Sequence, residues 1–207
     1  MYAPQGSCTA LVHILVRWPI LVVLLGLGGA VPLVNNVLDE PNAEDILEQH
    51  AEALRADEDW FSIASQAQAL VPDNGRLQHE DDLHYFQPEG VLGSVFVGIQ
   101  RTEAEPRVTG VHPDGVSYGP AGLTGQALID LYGTIPNCKT FGYDEVLNDP
   151  DLSVKFAYLY FLDLIHQFKD VETAIIAYNF GRTRTNMYLA NGYTLPQEYL
   201  RRVKAKL

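Results

Sequence analysis

The order of hydrophobic and polar positions divides the chain into three stretches. Trp18 to Leu38 runs without a charge through IleLeuValValLeuLeu and GlyLeuGlyGlyAla, long enough for a bilayer, which takes roughly 20 apolar residues. Pro19 and Pro32 bracket the run, which argues against a buried core helix. It reads as a membrane anchor, with a cleaved signal peptide as the alternative; Gly28, Gly29 and Ala30 lead into Val31 and Pro32 rather than into a polar mature start. The second stretch, AsnAlaGluAspIleLeuGluGlnHisAlaGluAlaLeuArg from Asn42, predicts a polar helix capped by Asn42. ValProAspAsnGly at 71–75 separates it from the next element, so it reads as a stalk or flanking helix.

From Pro88 the helical period takes over. Leu92, Val95, Phe96 and Ile99 predict a helix that ends near Pro106 and holds Glu103 in its last turn. Thr109 to Gly122 is rich in Gly, Pro, Asp and Ser and predicts a loop, after which Pro120 is expected to open a helix through Leu123, Ala127, Leu128 and Leu131. Asn148 and Asp149 precede Pro150 and a long helix with Val154, Ala157, Tyr158, Phe161, Leu164, Ile165 and Phe168 on its apolar face. A further helix, Val171 to Phe180, stops at Gly181, and a short one begins after Pro196. Alternation of the strand type is nowhere sustained, and no internal repeat or low-complexity tract is visible.

Composition refines this picture. With 207 residues, 47% of them hydrophobic and 19% charged, the chain holds enough apolar material for one core and a short extra segment. The resulting boundaries are 1–38 for a cytoplasmic stub and anchor, 39–87 for the stalk or flanking segment and 88–207 for the main domain. Arg17 before the apolar run predicts, by the positive-inside tendency, that residues from Asp39 onward lie outside the cytoplasm. Cys8 and Cys138 then face different compartments, so neither a disulfide nor a thiolate metal site is expected. The net charge of −12 argues against nucleic acid as a partner. Arg182, Arg184, Arg201, Arg202, Lys204 and Lys206 crowd the C-terminus, as a solvated face or as a surface for anionic lipid or carboxylates.

Two places carry candidate chemistry. Glu103 lies four residues after Ile99 and seven after Phe96, on the apolar face of its helix. A carboxyl there loses hydration in its charged form, so its pKa should rise toward the range useful for protonating a leaving group. The plainer alternative is a helix-terminal glutamate with its stem packed and its head in water. AlaTyrAsnPheGly at 177–181 presents the Tyr178 hydroxyl and the Asn179 amide together at a helix end where Gly181 can turn the chain. Such groups suit a sugar hydroxyl or N-acetyl group, although a buried helix-end tyrosine commonly just satisfies a backbone carbonyl.

IleGlnArgThrGluAla at 99–104, TyrGlyProAlaGlyLeuThrGly at 118–125 and AlaTyrAsnPheGly at 177–181 occur in the order found in lytic transglycosylases. They resemble that family's I-x-x-x-E-S, G-L-M-Q and A-Y-N-x-G motifs. AsnAspProAspLeuSerValLysPheAlaTyrLeu at 148–159 looks like its D-P-x-x-N helix, and LeuProGlnGluTyrLeuArgArgVal at 195–203 resembles its closing motif. The resemblance covers residues 90 to the C-terminus.

It implies a mainly α, goose-lysozyme-like domain; with the apolar run read as a single N-terminal transmembrane helix, that domain is expected in the periplasm on the bacterial inner membrane. The implied partner is the glycan strand of peptidoglycan. Glu103 would be the sole catalytic carboxyl, first protonating the glycosidic oxygen between N-acetylmuramic acid and N-acetylglucosamine. It would then act as base on the muramoyl C6 hydroxyl, which closes a 1,6-anhydro ring, so that no second carboxylate is required, unlike the two-acid plan. Tyr178 and Asn179 match the motif tyrosine and amide, and no metal or organic cofactor is implied.

This chain departs from the pattern at Ala104, where the family has serine, and at Gly125, where it has glutamine. Ser117, Tyr118 and Gln126 are the candidates for the missing polar contacts, with a solvated loop serine and a helix-surface glutamine as the plainer readings. A lysozyme-type hydrolase and a weakly active wall-binding scaffold remain as alternatives, and partners in envelope assembly are left open.

Overall fold

The computed structural model describes residues 40–71, 85–103 and 110–207. The apolar run Trp18 to Leu38, with Cys8 before it, lies outside these residues. Among the described residues no helix is long and apolar enough to cross a membrane.

The first helix, α1 (Ala43–Arg55), opens as its sequence predicts. The Asn42 side chain accepts from the Asp45 amide at 2.9 Å while Asp45 accepts from the Asn42 amide at 3.3 Å, which satisfies two donors that a helix start leaves free. Ile46, Leu47 and Leu54 then bury one face of α1. A second helix, α2 (Trp60–Leu70), is not legible in the sequence: only Ile63 and Ala67 are buried, a stripe too narrow to stand out as a period. α3 (Gly90–Glu103) is the expected helix, but it is buried on nearly every side from Val95 to Gln100. It belongs to the core, not to a surface amphipathic layer.

The segment after residue 110 corrects one expectation. Pro120 does not begin a helix. Ser117–Tyr118 (β1) and Leu123–Thr124 (β2) pair antiparallel, joined by a turn with positive φ at Gly119 (67°) and Gly122 (64°). Thr124 rather than Pro120 caps α4 (Gly125–Thr134), its hydroxyl accepting from the Ala127 amide at 3.1 Å. The glycines decide this, because left-handed residues on both sides of Pro120–Ala121 suit a tight turn and not a helix.

A 3-10 turn (Pro136–Thr140) and a short helix, α5 (Tyr143–Asn148), lead to α6 (Pro150–Phe168). Asp149 caps α6, accepting from the Asp151 and Leu152 amides, and Pro150 takes the first helical position where no amide is needed. α6 is the central helix of the fold: α1, α4, α5 and α7 (Val171–Phe180) all pack against it. Its residues Phe156, Leu159, Phe161 and Leu162 are among the most deeply buried of the chain. Gly181, with φ 94° and ψ 136°, occupies backbone space that only glycine adopts readily, and α8 (Arg182–Ala190) begins directly after it. The last helix, α9 (Glu198–Lys204), packs on α3 and α7 through Tyr199, Leu200 and Val203. Cys138 is buried and free.

Candidate active site

Glu103 is the last residue of α3, where backbone carbonyls lack helical partners. α9 closes that end: Arg202 donates to the Thr102 carbonyl at 3.2 Å, its guanidinium lies 5.9 Å from the centre of the Tyr199 ring, and the Tyr199 hydroxyl donates to Glu103 Oε1 at 2.6 Å. The carboxyl's other face rests on the β1–β2 turn. A Cβ added at Gly122 would stand 2.8 Å from Glu103 Oε2, so the glycine leaves the space that the carboxyl fills.

Glu103 is half-buried, and burial pushes its pKa up. The Tyr199 hydrogen bond, then His112 and Arg202, pull it back in part, whereas the charge of Asp114 adds to the rise. The balance leaves a carboxyl that holds its proton further toward neutral pH than an exposed one.

Tyr178 shares the same turn. Its hydroxyl donates to the Ala121 carbonyl at 2.7 Å, next to the glycine that supports Glu103. Phe96 stands edge-on to its ring at 6.5 Å and Tyr160 lies 5.8 Å away, so the phenol is locked by packing. Burial and then the nearby Glu103 charge hold the Tyr178 phenol well above the ordinary tyrosine pKa. It stays neutral at any working pH, as a polar wall beside the acid.

Beyond Tyr178 opens a cleft of about 590 Å³ walled by the β1–β2 hairpin, the start of α4, Tyr143 and the α7–α8 junction. Of the residues singled out from the sequence, Tyr118, Gln126, Tyr178 and Asn179 line it. Asn179 is exposed at the end of α7. Gln126 is also exposed and donates to Asp130 Oδ1 at 2.9 Å. Ser117 is buried and outside the lining; its hydroxyl donates to Asp114 Oδ2 at 2.6 Å, and its amide to Asp114 Oδ1 at 3.0 Å. In this placement Ser117 ties the loop together and does not line this cleft. Glu103 adjoins the cleft through Tyr178 and the Ala121–Gly122 turn without lining it.

In the sequence Tyr199 stands out only as part of a closing motif. Its spacing from Val203, one helical turn away, signals a buried face, but nothing local signals Glu103 as its partner. Arg182 belongs to the C-terminal crowd of cations by sequence, yet it turns inward to pair with Asp163 and approaches Asp130 at 3.9 Å, beneath the Tyr160 ring at 5.3 Å. Thr134 Oγ1 donates to the same Asp163 carboxylate at 3.1 Å. This network stiffens the cleft floor. Among the described residues no cluster of His, Cys, Asp or Glu is arranged to hold a metal ion.

Comparison with known proteins bears on the C-terminal part of this architecture. No curated protein and no solved structure matches the chain. A family model does match, the transglycosylase SLT domain, over residues 136–200. The matched segment contains α6, α7, Tyr178, Asn179 and Tyr199, and it begins after Glu103. Over residues 136–200 the chain is therefore similar to the transglycosylase SLT domain.

Proposed function

We propose that the chain is a lytic transglycosylase that cleaves the β-1,4 bond between N-acetylmuramic acid and N-acetylglucosamine in peptidoglycan, releasing a 1,6-anhydromuramoyl end. The observation that carries this reading is the half-buried Glu103, held by Tyr199 and seated on Gly122, in a chain whose residues 136–200 match the transglycosylase SLT domain. A carboxyl kept protonated toward neutral pH can give its proton to the glycosidic oxygen as the bond to the anomeric carbon breaks. Once ionised, it is stabilised by the Tyr199 hydroxyl and can take the proton of the muramoyl C6 hydroxyl as that oxygen closes on the anomeric carbon. The proton count balances, and water is not consumed. Tyr178 and Asn179 are the proposed contacts to the sugar at the α7 end of the cleft, with Tyr118 and Gln126 as further polar contacts in its lining. Residues 1–38 are proposed as the anchor that holds the domain on the periplasmic side of the inner membrane, with 39–87 as the flanking segment and 88–207 as the catalytic domain.

One observation favours a hydrolase instead. Asp114 lies within electrostatic reach of Glu103 and has its own pKa lowered, first by the Ser117 hydroxyl and then by the Val116 and Ser117 amides. Two carboxyls pushed in opposite directions are the mark of a two-acid glycosidase. Here the three bonds hold Asp114 to its own turn as a loop staple, so the single-carboxyl route is preferred.

The test is incubation of the full chain, in detergent, with purified peptidoglycan and mass analysis of the released muropeptides, alongside Glu103→Gln. Anhydro-muropeptides that vanish in the variant are the expected result. Reducing-end products establish the hydrolase, and wall binding without release from either protein establishes the scaffold.

A further inference from the structure

Gly125 and Tyr143 meet in the cleft wall. Gly125 is the first residue of α4, directly after the Thr124 cap, and its φ is not positive. Its backbone conformation is therefore open to any residue, and alanine would serve the helix better. What a side chain there would displace is Tyr143: a Cβ at Gly125 would run into the Tyr143 hydroxyl and stand 3.1 Å from its Cζ. The glycine holds a notch, and the Tyr143 phenol sits in it.

Tyr143 starts α5, lines the cleft and is 41% exposed. The neighbouring phenols are committed. Tyr178 donates to Ala121, and the Arg182 guanidinium lies over the Tyr160 ring at 5.3 Å. The Tyr143 hydroxyl has no hydrogen-bond partner among the described residues, although it is aimed by Gly125 toward the mouth of α4. An exposed ring with an unspent hydroxyl, in a wall that also offers Gln126 and Asn179, suits a pyranose: the ring covers an apolar sugar face while the hydroxyl meets a sugar hydroxyl or an acetamido carbonyl.

We propose that Tyr143, with its hydroxyl positioned by the side-chain-free Gly125, is a specificity-determining residue that grips an N-acetylated sugar of the glycan strand. This rests on the reading of the chain as a glycan-cleaving enzyme. Tyr143 binds and does not transfer protons, so its contribution falls on affinity and KM more than on kcat.

The experiment measures binding of a tetramer of β-1,4-linked N-acetylglucosamine to the full chain carrying Glu103→Gln, by calorimetry. The same Tyr143 and Gly125 changes in the unaltered chain are then assayed on peptidoglycan. Tyr143→Phe removes one neutral hydrogen bond and is expected to weaken binding about 3- to 10-fold. Gly125→Ala is expected to weaken it at least as much, by driving the phenol out of the notch, without lowering the melting temperature. Combined with Tyr143→Phe, which deletes the clashing oxygen, Gly125→Ala is expected to add little, because the two changes act on one contact. KM should rise in the single variants with kcat nearly unchanged.

Full affinity and KM in Tyr143→Phe and Gly125→Ala, while the unaltered chain cuts peptidoglycan and Glu103→Gln does not, overturns the role of Tyr143 and leaves the proposed function intact. Strictly additive losses overturn the notch argument. A folded chain that neither binds the tetramer nor cuts peptidoglycan overturns both.

Discussion

The hydroxyl of Tyr199 donates to Glu103 Oε1 at 2.6 Å, joining residues 96 positions apart in the sequence. This bond opposes the effect of burial on the carboxyl, and the two are the largest influences on where Glu103 titrates. Tyr199→Phe removes the opposing member. The high-pH limb of kcat/KM is expected to move to higher pH, and kcat to fall as the ionised carboxyl loses its donor. A pH–rate profile on solubilised glycan strands checks it, since a merely structural tyrosine would lower activity at all pH values alike.

Glu103→Gln should abolish cleavage and stabilise the fold at neutral pH. Because burial raises the folded-state pKa, the unfolded chain gives up its proton first as pH rises. The folded state therefore binds more protons between the two values, and stability falls as pH climbs through the raised pKa. Glutamine does not titrate and can still accept from Tyr199. Thermal melts from pH 4 to pH 8 should show the variant gaining on the unaltered chain toward the alkaline end, within the span set by these pKa values.

Gly122→Ala separates stability from activity. With φ at 64°, a Cβ costs about 1–2 kcal/mol of backbone strain. It also meets Glu103 Oε2 at 2.8 Å and displaces the carboxyl. A drop in melting temperature of roughly 2–8 °C is expected, with activity falling by about 100-fold, as a misplaced catalytic group would produce. Paired melting and turnover measurements would show whether the two losses separate.

Arg182→Met tests the cleft floor. The Arg182 and Asp163 side chains are only 13% and 10% exposed, so removing the guanidinium strands a carboxylate. A loss of about 3–5 kcal/mol is expected. The double variant Arg182→Met with Asp163→Leu should recover much of that loss, because no buried charge remains. Denaturant unfolding of the two proteins decides this.

The sequence by itself determined the parts whose physics is local. Asn42 and Asp149 cap helices wherever those helices end up, Gly181 ends α7 because the chain must turn there, and the run from Val154 to Phe168 repeats at the helical period along most of α6. Glu103 was legible as a candidate acid because its spacing from Phe96 and Ile99 is itself a statement about one helix face. Where the local signal was short or divided, it misled: Pro120 resembles a helix start until Gly119 and Gly122 turn the chain back on itself. α8 buries only Thr185 and so leaves no period to read. Tertiary structure alone decided that Tyr199 answers Glu103, that Arg182 faces inward to Asp163, and that Gly125 makes room for Tyr143. Each of these joins separate elements packed against one another around α6. Hydrogen bonds, ion pairs and steric notches act over a few ångströms in space, whatever the distance along the chain, so only the packing of the helices could bring those partners together.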